Sequence, residues 1–210
     1  MRKVLSKCLS VAITCILFAS CGTEAGESVN GGIPTTEQLS AAADELGNDM
    51  KSLKFSVDGV VCQFPVDTKD MLDAGWYFDS DVKSDLKSIP ANTLVAPAVA
   101  MRKNKTDGYG ATSCSVQPVN NGVSEVAIED TLLYNVAFSK DKGTTVILPG
   151  GITWNSTFDE VKEAYKPEQA VDQNGIKYII ISGEDYHYSV QLNFNSADNT
   201  LERIEFNGRL

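Results

Sequence analysis

From Thr35 onward the chain switches between two patterns, one with apolar residues three and four positions apart and one with apolar residues at every second position. In TTEQLSAAADELGN, Leu39, Ala42, Ala43 and Leu46 recur at helical spacing, Thr35 or Thr36 can cap the first turn, and Gly47 can close the last. A short helix is predicted within 35–49. LKFSVDGVVCQF then alternates on both sides of Asp58-Gly59, the signature of a two-residue hairpin. PVDTKDMLDAGW predicts a second helix, capped by Asp67 or Thr68, with Asp70 near its positive end and Gly75 at its close. Residues 79–93 carry no clear period. Strands are predicted in TLVAPAVAM, ATSCSVQPV, VSEVAIE and LLYNVAF, with turns at Asp107-Gly108 and Asn121-Gly122.

The order then restarts. TTVIL is strand-like, Gly150-Gly151 makes a tight turn, and a helix follows with Ser156 or Thr157 as cap and Pro167 beyond its end. IKYIIIS, YHYSVQLNFN and TLERIEF close the chain as three strands. In the second of these Tyr186, Tyr188, Val190, Leu192 and Phe194 point one way and His187, Ser189, Gln191 and Asn193 the other, so one face is buried and one is wet. Thr68, Asp70, Leu72 and Trp76 fall on Thr157, Asp159, Val161 and Tyr165 at constant offset. Downstream, Ser115-Val116-Gln117 echoes Ser189-Val190-Gln191, and VSEVAI echoes LERIEF. The shared order points to duplication. The expected fold class is α+β, with two related units at 50–138 and 139–210, each an antiparallel β-sheet covered by short helices.

The amino terminus sets the address. Arg2, Lys3 and Lys7 precede a mainly apolar run from Cys8 to Ala19, too short for a permanent transmembrane helix, and Ala19 and Ser20 are small residues ahead of Cys21. Residues 1–20 are expected to be a signal peptide and Cys21 the site of lipid attachment. Glycine-rich, polar 21–34 is expected to be a flexible tether. The protein would then sit at the extracytoplasmic face of the cell membrane, with a membrane-embedded acyl anchor as its first partner. Loss of the three basic residues of the leader takes the net charge from −10 to −13. Such a chain repels phosphate backbones, so nucleic acid is not an expected partner. With Cys8 and Cys15 in the leader, Cys62 and Cys114 remain; they either form a disulfide or stay as two small buried thiols.

GGITWNSTFDEVKEAYKP, followed by an aromatic-rich strand pair ending in LERIEF, resembles the helix-then-antiparallel-sheet repeat of the beta-lactamase-inhibitor-protein and SmpA/OmlA lipoprotein fold group. Gly151, Ile152, Thr153, Thr157, Glu160, Val161 and Tyr165 carry the likeness, which covers 144–210. Exported lipoproteins of Gram-positive anaerobes resemble the chain as a whole. The resemblance implies a non-enzymatic binding or assembly module that contacts another protein through its exposed sheet face or its loops.

Catalytic chemistry finds little support. A Ser-His-Asp triad needs an imidazole base, and His187 is the one histidine, with no nucleophile elbow to serve. Pairing it with Cys62 or Cys114 would need groups from opposite halves of the chain. No glycine loop cradles a phosphate, two cysteines and one histidine do not make a zinc site, and the oxygen-rich stretches FDSDVKSD and NSADNTLE lack the calcium-loop spacing. No catalytic residue, metal or cofactor is expected. Large amphipathic rings can anchor an interface, and Trp154 beside its glycine turn, with His187 and Gln191 on the wet strand face, is the candidate binding surface. The expected function is a lipid-anchored, non-catalytic protein-binding or assembly module of the cell envelope. An extracytoplasmic hydrolase or carbohydrate-binding protein with an acidic cleft is the alternative, and an inhibitor acting through a protruding loop a third possibility.

Overall fold

The Thr35 hydroxyl accepts a hydrogen bond from the Gln38 N–H and the Gln38 side-chain oxygen accepts one from the Thr35 N–H, so helix α1 (Thr36–Leu46) begins with a complete capping box and stops at Gly47, φ +63°. The computed structural model describes residues 34–103, 112–184 and 186–208. The leader 1–20, Cys21, the tether up to Gly32 and Ile33, and the Asp107-Gly108 turn lie outside them. Strands β1 (Lys54–Val57) and β2 (Val60–Gln63) form the expected hairpin, with Asp58 at φ +49° and Gly59 at +84°, both positive as a type I′ turn requires. Strand β3 (Val66–Asp67) leads into α2 (Thr68–Asp73), capped by Asp67.

The middle of the chain departs from its pattern in several places. Gly75, φ +83°, ends α2, so Trp76 does not extend the helix as Tyr165 does in its counterpart but starts strand β4 (Trp76–Phe78). Residues 79–93 hold helix α3 (Ser80–Asp85) and the start of β5 (Thr93–Leu94). TLVAPAVAM is split around Pro97, which has no N–H for a ladder, into β5 and β6 (Val99–Lys103). Strands β7 (Ser113–Asn120) and β8 (Leu132–Ser139) follow, but VSEVAIE between them is not a strand. Val126 makes a lone bridge to Ile89 and Ile128–Asp130 forms a turn of 3₁₀-helix, because β7 and β13 (below) already occupy both sides of β8. Strand β9 (Val146–Ile147) precedes α4 (Phe158–Tyr165), whose cap is Thr157, one of the two expected, in a capping box with Glu160. Then come β10 (Gln169–Gln173), absent from the pattern, and β11 (Ile176–Ser182), β12 (Tyr188–Phe194) and β13 (Leu201–Gly208).

The fold is mixed α+β and mostly antiparallel. One sheet runs β10-β11-β12-β13-β8-β7-β6-β4, with β3 beside β8 and β5 beside β7; a second, β2-β1-β9, lies over it. Strand pairing crosses the position between 138 and 139: β1 pairs with β9 and β8 with β13. Cross-strand pairing lines up Val99, Val116, Val136, Phe206, Val190 and Ile181 in one inward row, half-buried at Val99 and buried from Val116 on. The small sheet packs onto the middle of this face, with Phe55 stacked on Phe206 at 4.4 Å and Phe64 at 5.5 Å from the same ring. Burying each such ring is worth roughly 1.5–3 kcal/mol. At one end Phe158 of α4 meets Phe194 edge-on at 5.3 Å; at the other Met71 of α2 is buried. Helix α1 covers the outer side of the small sheet with Ala42 and Leu46.

An ion pair that no sequence pattern announces ties the two sheets together. Asp58, in the hairpin turn, receives the Lys103 ammonium at 2.8 Å, and both side chains are only 7% exposed. The other oxygen of Asp58 accepts the Thr145 N–H at 2.9 Å. One carboxylate thereby joins the β1–β2 turn, the end of β6 and the approach to β9.

Candidate functional site

The described helices and the small sheet pack on one side of the large sheet, and no other described element covers its second face. On β12 the inward residues Val190, Leu192 and Phe194 are buried while Gln191 and Asn193, between them, are half-exposed. Pairing extends this outer set across the sheet. Ser115, Ala137, Glu205, Gln191 and Ile180 form one row, Gln117, Asn135, Asn207, Ser189 and Ser182 a second, and Ser139, Arg203, Asn193, Tyr178 and Val171 a third. Small side chains in the centre and amides around them make a shallow, hydrogen-bonding surface. Asn135 donates to Asn207 at 2.6 Å, Gln191 to Asn193 at 2.8 Å, and Arg203 to Glu205 at 3.3 Å.

Toward β10 the same face turns apolar. IKYIIIS is apolar on both sides of the strand, the composition of a strand covered on both faces. Here one side, Ile179 and Ile181, is buried, and the other, Ile176, Tyr178 and Ile180, faces out, with Ile176 at 60% exposure. Val171 of β10 stands next to Tyr178.

The residues expected to form a binding surface do not converge. Gln191 is on the open face as predicted. His187 is exposed but lies in the turn before β12, Tyr186 beside it adopts φ +59° and is 65% exposed, and Ser189, expected to be wet, is buried, so the dry and wet alternation of YHYSVQLNF begins only at Val190. Trp154 packs from the core side: it is half-buried against the central cluster and its indole N–H donates to the Thr144 carbonyl at 2.6 Å. Tyr165, at the end of α4, is anchored likewise by its hydroxyl to the Pro149 carbonyl at 2.5 Å, and burial raises its pKa. The outward residues of β11, with Arg203, Glu205, Asn135 and Asn207, were not singled out by the pattern. The signal that could have found them is the excess of apolar residues in IKYIIIS over what one buried face requires.

Cys62 and Cys114 are free, buried thiols on different sheets, not a disulfide. Burial, helped by the Asp70 carboxylate, pushes Cys62 up to about 12, and burial raises Cys114 as well, so both remain protonated and inert. Neither shares a site with His187, which is solvent-exposed. Asp70 itself is held above the usual carboxylate range, by partial burial first and then by Asp67 and Asp73. Among the described residues no three His, Cys, Asp or Glu side chains converge as metal ligands, and no helix is long and apolar enough to cross a membrane. The hollows are shallow; one is lined by Leu53, Phe64 and Tyr188 with Lys51, Gln63 and Glu184 at its rim, another by Lys140, Asp141, Asn195, Glu202 and Arg203. No protein-family model, curated protein or solved structure matches the chain.

Proposed function

We propose that this chain is a lipid-anchored cell-envelope protein, held at the extracytoplasmic face of the membrane through Cys21, that works without catalysis as a protein-binding or assembly module and meets its partner with the open face of its large sheet. The observation that carries the reading is β11, apolar on both faces while one face is uncovered: Ile176, Tyr178 and Ile180 stand beside the amides of Gln191 and Asn193. An apolar stripe bordered by hydrogen-bonding groups and a lone ion pair is the make-up of a contact surface, in which rings and aliphatic side chains supply the affinity and amides the register.

The body is further proposed to be two units of one plan. What supports this is that two four-strand meanders, β4-β6-β7-β8 and β10-β11-β12-β13, each led by a capped helix, meet edge to edge at β8 and β13. The echoed Val116 and Val190 fall on the third strand of each, in the same buried row. Such a plan agrees with the repeat that GGITWNSTFDEVKEAYKP resembles.

The test compares two baits in affinity capture from native envelopes, the wild type and Ile176→Thr/Tyr178→Thr/Ile180→Thr, which keeps β-branched residues in the strand. A protein recovered by the wild type and lost from the variant is the expected result; identical recovery by both would remove the open face from the function. Intact mass of the native protein is expected to show diacylglycerol on Cys21, and an unmodified thiol there would remove the anchor.

A further inference from the structure

Strand β10 ends the large sheet, and its outer side has no hydrogen-bonded neighbour among the described residues; four of its five residues are exposed. A bare edge is a template for another strand, and monomeric proteins blunt it with lysine, proline, a bulge or an overlying loop. QAVDQ contains neither lysine nor proline, and its register against β11 is continuous from Gln169↔Ile180 to Gln173↔Ile176. Its one charge, Asp172, faces the Lys177 ammonium at 3.1 Å. At the opposite end of the sheet β4 is three residues long and runs at once into α3.

We propose that β10 pairs antiparallel with β10 of a second copy about a two-fold axis at Val171, which makes the large sheet continuous through a dimer. The sequence is complementary to itself in this register. Val171 meets Val171, each Gln169 meets Gln173, and each Ala170 meets Asp172, so no like charges oppose and Asp172 keeps its Lys177 partner. Tyr178–Val171–Val171–Tyr178 becomes one unbroken row on the open face, and Gln169 and Gln173 can exchange amide hydrogen bonds. A two-fold pairing of identical strands closes, so it makes a dimer and not a fibre. The seam is short against the roughly 1,200–2,000 Å² of a standard stable interface, and the net charge of −10 opposes association. The dimer is therefore weak, concentration-dependent and strengthened by salt. It uses the sheet edge and does not depend on the partner proposed for the open face.

The full chain is examined by sedimentation over a concentration series, with Val171→Lys and Val171→Cys beside the wild type. A monomer–dimer equilibrium is expected, favoured by added salt and weakened about tenfold or more in Val171→Lys, where two ammonium groups would face each other across the axis. Oxidised Val171→Cys is expected to yield a dimer whose linked peptide joins position 171 to itself. Ala170→Cys alone should give no such link, whereas mixed with Asp172→Cys it should give a 170–172 link. A monomer at every concentration, a dimer indifferent to Val171→Lys, or linkage in another register would each overturn the proposal.

Discussion

Replacement of Lys103 by methionine keeps the length and most of the apolar stem of the side chain and removes its charge. The structure makes this a severe change. Asp58 is 7% exposed, its Oδ2 receives Lys103 at 2.8 Å, and among the described residues the one other hydrogen bond to its carboxylate comes from the Thr145 N–H at 2.9 Å. The variant would bury an uncompensated carboxylate in the turn that joins the two sheets. Removing one partner of a buried pair costs about 3–5 kcal/mol, against a total stability of about 5–15 kcal/mol for an ordinary domain. The melting temperature should drop by roughly 10 °C. Urea unfolding followed by far-ultraviolet circular dichroism, with tryptophan fluorescence as a second probe, measures the change; Trp76, 2% exposed, makes that probe sensitive to the core. Asp58→Asn/Lys103→Met separates charge from shape. An amide at 58 can still accept from Thr145, and asparagine tolerates φ +49° in a type I′ turn, so the double variant should lie within about 1 kcal/mol of the wild type. The reasoning fails if Lys103→Met costs under about 1 kcal/mol, or if the double variant is no more stable than the single one.

Two further outcomes are expected. The Ser56 hydroxyl is fully buried on the outer side of β1 with no hydrogen-bond partner among the described residues, so Ser56→Ala should raise stability by about 1 kcal/mol in urea titrations; a loss of stability would mean the hydroxyl is satisfied. Asp70 holds its proton more tightly in the folded protein than in the unfolded chain, so its contribution to stability falls as pH rises from the ordinary carboxylate value through the raised one, and above that window the charged form is a standing penalty. Asp70→Asn should therefore be more stable than the wild type at pH 7, with the gap closing as pH drops below the ordinary carboxylate range; a gap that widens on acidification would refute this sign.

Local chemistry wrote most of the elements into the chain. Thr35 with Gln38 and Thr157 with Glu160 satisfy the free N–H groups of α1 and α4 from within a single turn, and Asp58-Gly59 can adopt its two positive φ values without any help from the rest of the protein. Period-two alternation likewise assigned the buried and wet sides of β12 from Val190 on, and Gln191 with them, though Ser189, expected on the wet side, is buried. Assembly was not legible, because the energy that settles it comes from contacts between segments far apart in sequence. Nothing in LKFSVDG says that its carboxylate will bury itself against Lys103, 45 residues on, or that Phe55 will stack on Phe206. VSEVAIE has a strand's alternation but no ladder to join, since β7 and β13 fill both sides of β8. QAVDQ has no apolar alternation and is a strand because β11 offers it an edge. Trp154 looks like a surface anchor next to its glycine turn, and only the fold shows its indole bonded to Thr144 and its ring against the core. An alternating pattern specifies that a strand has a dry side; which neighbour dries it, and whether the other side stays open, depends on where the whole chain finds room.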